Sequence, residues 1–135
     1  QPVKNKFVLP KLKSKRLITK TVCRHAALIA NEIKASAVCT LTHSGYTGWQ
    51  ISSWRPNCLV LVFTSNKRIL SQLNLLWGVK CIYYNKFQST DKTVEDVNAL
   101  AIKNRYVRRG DVVVNLASMP IKDKGQVNTL RITKL

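Results

Sequence analysis

Four short apolar runs, "AVCTL", "CLVLVFT", "VKCIYY" and "DVVVNLA", recur along the chain, with a stretch of helical length between each pair. That alternation limits the fold more than any other feature. Strands apolar at nearly every position are buried on both faces. Joined through helices of about 10–15 residues, they run parallel, and the crossover helices cover the sheet on both sides. A fifth run, "NTLRITKL", alternates polar and apolar residues and follows the fourth with no helix between, so it should run antiparallel. The expected class is α/β.

The helical stretches carry their own signals. Val22, Ala26, Ile29 and Ile33 form one amphipathic stripe. "GYTGWQISSWR" reads as a second helix stopped by Pro56. In "NKRILSQLNLLW", Asn66 fits an N-cap, Ile69, Leu73 and Leu76 share a face, and Gly78 ends the helix. In "TVEDVNALAIKNRY", Thr90 or Asp91 is the expected cap, with Glu95 and Asp96 in the first turn. Residues 1–20 contain Pro2 and Pro10 and no sustained period, and read as an extended basic arm ahead of a domain at 21–135.

Charge is the anomaly in the composition. The 135 residues hold 23 Lys and Arg against 6 Asp and Glu, a net +17. Eight of the cations fall in the first 24 positions, where there is no acid. Such an excess draws polyanions, with nucleic acid or acidic membrane surfaces the usual partners, although lysine-rich solvated surfaces produce the same count. No apolar stretch approaches the roughly 20 residues of a membrane span. The first residues lack the apolar core of a secretory signal, and their basic, acid-free character leaves an organellar presequence open. Cys23, Cys39, Cys58 and Cys81 contain no CxxC pair and read as buried free thiols of a reducing compartment. A zinc site with His25 or His43 would need distant ligands.

The first strand ends in "LTHSGYTG". Thr42, Ser44 and Thr47 offer hydroxyls, His43 an imidazole, and Gly45 a close backbone approach. The helix that follows presents unpaired N–H groups suited to an anion. The same residue types are ordinary helix caps, so a phosphate site and a plain cap both fit. Neither a Walker P-loop nor a dinucleotide fingerprint is present. His43 and Ser44 lack an acid to complete a hydrolase arrangement, and the six acids have capping or turn roles. The chain alone should be catalytically silent.

Read in order, "SGYTGWQISSWRP", "VFT", "LNLLWGVKCIYY", "RRGDVVV" and "VNTLRI" resemble the C-terminal domain of pyruvate kinases, of the bacterial type with a "THSGYT" loop, over residues 21–135. The resemblance implies a three-layer α/β/α sandwich with a mixed five-stranded sheet whose last strand is antiparallel. It also implies a regulatory and oligomerisation module in a glycolytic, cytoplasmic enzyme. The catalytic barrel, with its magnesium and potassium, is not matched, so no cofactor is expected in this chain. The implied partners are other pyruvate kinase domains or subunits, with self-association. An effector phosphate would sit on Thr42, His43, Ser44, Gly45 and Thr47, beside the loop at 118–127. Tyr46 stands where regulated members often carry Arg. Thr93 and Leu100 stand where Trp and Arg hold a second phosphate. These departures weigh against a bisphosphate and leave a monophosphate, or no effector, open.

The family domain is not usually this basic, so a second function class stays open: a repurposed domain seated on RNA within a ribonucleoprotein particle such as a ribosome. Its candidate contacts are Lys11, Lys13, Lys15, Arg16, Lys20 and Arg24 on the arm, with Lys103, Arg105, Arg108 and Arg109 on the domain. An independent enzyme is the third and weakest reading.

Overall fold

Val60 and Val62 of the second apolar run pack to one side of a sheet, and Leu61 and Phe63 to the other. A strand apolar at both parities needs helices on both faces, and the computed structural model has them. It describes residues 11–86, 89–117 and 127–135, with side chains omitted for residues 11–16 and 90. In chain order the elements are α1 (Lys11–Glu32), β1 (Ala37–Leu41), α2 (Tyr46–Ser53), β2 (Leu59–Thr64), α3 (Lys67–Leu73), β3 (Val79–Tyr83), α4 (Thr90–Lys103), β4 (Val112–Ala117) and β5 (Thr129–Lys134).

The five strands lie in the order β3-β2-β1-β4-β5. β1, the central strand, pairs in parallel with β2 and β4, β3 extends the parallel array, and β5 pairs antiparallel with β4. The fold is therefore α/β, with the antiparallel last strand that its alternating pattern predicts. One face carries α1, α2 and α3 over Val38, Val60, Val62, Val79 and Val114. The other carries α4, whose Val97 and Ala101 pack on Ala37, Cys39, Leu61, Phe63 and Val113.

Several local expectations are corrected. The first helix begins at Lys11, so residues 11–20 are helical and not an extended arm; residues 1–10 lie outside the described residues. No Gly or Pro occurs between 11 and 32, and Lys, Leu and Arg are good helix formers. The buried stripe of α1 is Thr19, Cys23, Ala26, Ala27 and Ala30, whereas Ile33 is exposed. Small residues let the helix axis approach the sheet, and the larger aliphatics are left at the margins. Finally, α4 is capped by Ser89, whose Oγ accepts from Lys92 N at 3.4 Å, so its first turn holds Asp91 rather than Glu95 and Asp96. Asp91 pairs with Arg131 of β5 at 3.0 Å, an exposed contact of small worth.

Asn66 caps α3 as expected, accepting from Arg68 N at 3.0 Å and Ile69 N at 3.4 Å. That helix stops at Leu73, short of Gly78, because Asn74 turns its Oδ1 to accept from Cys81 N at 3.0 Å. Leu75 and Trp77 are thereby left outside the helix and in solvent.

Beneath α4 lies a buried amide pair. Asn115 Nδ2 donates to Asn98 Oδ1 at 2.8 Å, Asn98 Nδ2 donates to Asn115 Oδ1 at 3.4 Å, and Thr133 Oγ1 donates to the same Oδ1 at 3.0 Å. An Asn inside an apolar strand must be satisfied, since a buried unpaired amide costs about 1–3 kcal/mol. Asn98→Ala should therefore destabilise the domain by about that amount in urea unfolding. Replacing both Asn98 and Asn115 by Leu should cost less than the sum of the single changes.

Candidate phosphate loop and basic surfaces

β1 is followed in sequence by β2 and β3 on one side, while β4 lies on its other side. The chain's winding reverses between β1 and β4, and beyond the carboxyl ends of such strands a crevice opens where ligands sit in open α/β sheets. The loop leaving β1 there is Thr42, His43, Ser44 and Gly45, leading into α2.

The sheet anchors its base, since Thr42 N donates to Phe63 O of the neighbouring strand at 3.0 Å. Gly45 sits in the left-handed region at φ 84° and directs its N–H to Thr42 Oγ1 at 3.0 Å. Tyr46 N donates to Ser44 Oγ at 3.3 Å. Asn66 Nδ2 donates to His43 O at 3.4 Å, tying the turn to the start of α3. Thr42, Gly45 and Thr47 are buried, and His43 and Ser44 are exposed.

The turn therefore uses acceptor lone pairs of the Thr42 and Ser44 hydroxyls, while each O–H stays a donor. The solvent-facing groups of this loop are the Ser44 hydroxyl and the His43 imidazole. Asn66 reads as a cap in the sequence, and its second role, bracing His43, requires α3 to fold back beside the loop. Between α4 and the ends of β1 and β4, Cys39, Leu41, Thr93, Val97, Asn115 and Ala117 enclose only about 20 Å³. That holds one water and no sugar. The loop at 118–126 lies outside the described residues.

The cationic candidates fall in separate places. Lys20 and Arg24 project from the exposed side of α1, with the Arg24 guanidinium 5.7 Å from the centroid of Trp54. Arg105, Arg108 and Arg109 occupy the α4–β4 connection, at the edge of the sheet opposite the phosphate loop. The side chains of Lys11, Lys13, Lys15 and Arg16 lie outside the described residues.

All four thiols are free, and Cys23 and Cys39 are buried. Burial pushes both up to about 12 from an ordinary 9.0, with nearby Cys58 adding to the effect at Cys39. The native protein holds these protons where the unfolded chain releases them, so the contribution of these two thiols to stability is level below pH 9 and falls as pH rises toward 12. Alkylation of the native protein at about pH 8, read by mass spectrometry, should leave Cys23 and Cys39 unmodified, because the thiolate is the nucleophile. Among the described residues, no three His, Cys, Asp or Glu side chains gather to hold a metal ion, and no helix is long and apolar enough to cross a membrane.

The sequence model of the family described as pyruvate kinase, alpha/beta domain, matches residues 20–133. The chain belongs to that family. It is 34% identical over 115 residues to a pyruvate kinase of Sporosarcina psychrophila, covering 85% of this chain and 20% of that protein. It is also 34% identical over 103 residues to a pyruvate kinase of Clostridium acetobutylicum, covering 76% and 22%. With pyruvate kinase 2 of Synechocystis it shares 32% over 104 residues, 77% of this chain and 18% of that protein. The chain thus spans about a fifth of the length of the relatives it matches. What a pyruvate kinase alpha/beta domain contributes here rests on its loop and surfaces, not on any relative's whole activity.

Proposed function

We propose that this pyruvate kinase alpha/beta domain is a non-catalytic regulatory and oligomerisation module that takes a phosphate or sugar-phosphate effector on Thr42, His43, Ser44, Gly45 and Thr47. The observation that supports this is the loop's position. It leaves the central strand at the switch point, is pinned by Phe63 O, and turns outward the two side chains able to contact an anion. The Ser44 hydroxyl donates to a phosphate oxygen, His43 adds a second donor, and the start of α2 contributes its partial positive charge. The small crevice behind Thr93 argues for a single phosphate on the loop. The same reading carries a cytoplasmic setting and association with further pyruvate kinase domains or a second copy.

Calorimetric titration with inorganic phosphate, a sugar monophosphate and a sugar bisphosphate is the test. The monophosphate should bind, and Ser44→Ala should weaken it about 3- to 10-fold, as expected for loss of one hydrogen bond. Absence of heat up to millimolar ligand removes the effector role. Sedimentation as a strict monomer at high concentration removes the assembly role.

A second reading, RNA binding as part of a larger particle, is supported by the edge opposite the loop. There Arg105, Arg108 and Arg109 occupy one exposed connection of a chain with net charge +17. RNA retention that stays flat from low to high salt overturns it.

A further inference from the structure

We propose that the amino-terminal edge of the parallel sheet is a binding surface for single-stranded RNA, with Trp77 and Trp49 as base-stacking platforms and Lys34, Arg55 and Arg105 as phosphate contacts. The proposal rests on the RNA reading above and gives it a site. Four connections enter the parallel strands at this edge, and each contributes one side chain: Lys34 before β1, Arg55 before β2, Trp77 before β3 and Arg105 before β4.

The first observation concerns backbone conformation. Among the described residues, three non-glycine residues sit at positive φ: Lys34 at 55°, Arg55 at 45° and Arg105 at 63°. Each is the second residue after a helix, in the position where Gly normally relieves the left-handed strain. All three are cations. The negative end of a helix favours a cation nearby, which accounts for their sign.

Helix ends do not account for the indoles. Trp77 is 85% exposed, Trp49 55% and Trp54 48%, although burying such rings is among the largest gains a domain can make. Trp77 and Arg55 both line two adjoining depressions. One, of about 660 Å³, is completed by Trp49, Ser52, Ser53 and Leu76. The other, of about 820 Å³, continues over Ser36, Asn57 and Tyr106. Exposed Trp49 and Trp77 rings with the Arg55 guanidinium between the two depressions offer what an unpaired base and its phosphate require together.

The charge balance favours an anion. The carboxylates at this edge are Glu32, at the end of α1, and Asp111. Asp111 Oδ2 already accepts from Arg108 N at 2.9 Å, where it closes the turn, and the same residue lines the wider depression with Arg55 and Trp77. No carboxylate lines the Trp49–Trp77 groove. Stacking reads ring faces rather than base edges, so the surface accepts single strands with little sequence preference.

The test is fluorescence anisotropy of the whole chain with a labelled single-stranded RNA of about 12 nucleotides, between about 50 and 200 mM salt. Affinity should fall with salt at a log–log slope of about −2 to −3, for three or four neutralised phosphates. Trp77→Ala should weaken binding about tenfold or more, while Trp77→Phe retains most of it. Arg55→Ala should lower the slope by about 0.7. Heparin, a polyanion without bases, should bind Trp77→Ala as well as it binds the parent chain. Because Trp77 is so exposed, its variants should melt as the parent does. If RNA binds but neither Trp77→Ala nor Trp49→Ala weakens it, the stacking site is overturned and the RNA reading stands. If RNA does not bind at any salt, both fall. Self-association that depends on Trp77, with no RNA affinity, assigns the edge to a second copy of the chain and overturns the proposal.

Discussion

Phe63→Ala lowers the unfolding free energy by about 3–5 kcal/mol, a large share of the roughly 5–15 kcal/mol that holds a domain of this size. Phe63 is fully buried and heads the fully buried side chains by volume. Its ring fills the layer between the sheet and α4, in the cluster of Leu61, Tyr84, Val97, Ala101 and Val113. Truncation removes apolar contact and leaves a cavity that β2, held by parallel neighbours on both sides, cannot close. Thermal unfolding should move down by roughly 10–20 °C. The carbonyl of Phe63 also anchors Thr42 N at 3.0 Å, so the change reaches the candidate loop through the backbone. Phe63→Leu, which should cost no more than about 1.5 kcal/mol, keeps the fold for ligand titration. A loss below about 1 kcal/mol for Phe63→Ala would show that α4 does not seal that face.

Gly48→Val should destabilise by about 2–3 kcal/mol through overpacking. A Cβ at Gly48 would meet Val62 Cγ2 at 3.0 Å and Leu73 Cδ1 at 3.1 Å, two buried side chains on β2 and α3. Gly48 is therefore needed for space, since its backbone is helical and any residue could adopt it. Gly48→Ala separates the two terms. The helix gains up to about 1 kcal/mol of propensity, and the squeezed methyl offsets it. Urea midpoints should place Ala between Gly and Val. Because Gly48 follows Thr47 directly, the Val variant should also shift α2 and weaken phosphate binding. A Val variant as stable as the parent would mean that α2 lies further from the sheet.

Several features of the fold could be read directly from sequence. Apolar runs at both parities in "LVLVFT" require cover on two faces, and helices lie on both sides of β2. The change to alternation in "NTLRITKL" marks the one antiparallel strand, an edge strand with a solvent side. Asn66 at the start of α3 and the inward Ile69 and Leu73 also follow from residue type and spacing, whereas Leu76 packs on the core from beyond the helix. The α1 stripe was misread because hydropathy ranks Val22, Ile29 and Ile33 above Ala and Thr. In the folded state the helix can approach closely only along its smallest side chains, and no property of α1 alone states how near the sheet will be.

The candidate loop divides the same way. Its residue types, a glycine among hydroxyls after a central strand, can be read in the sequence and mark it for a turn that meets a helix. Local chemistry does not reveal that Phe63 O and Asn66 Nδ2 brace it, or that the space behind Thr93 amounts to about 20 Å³. Nor does it reveal that Lys34, Arg55, Trp77 and Arg105, scattered over some seventy positions, come to one edge. Periodicity and cap preference act within a few residues, so the chain settles elements and their buried faces on its own. Strand order, interlayer distance and the meeting of remote loops depend on how those faces pack together, and only the assembled sheet decides them.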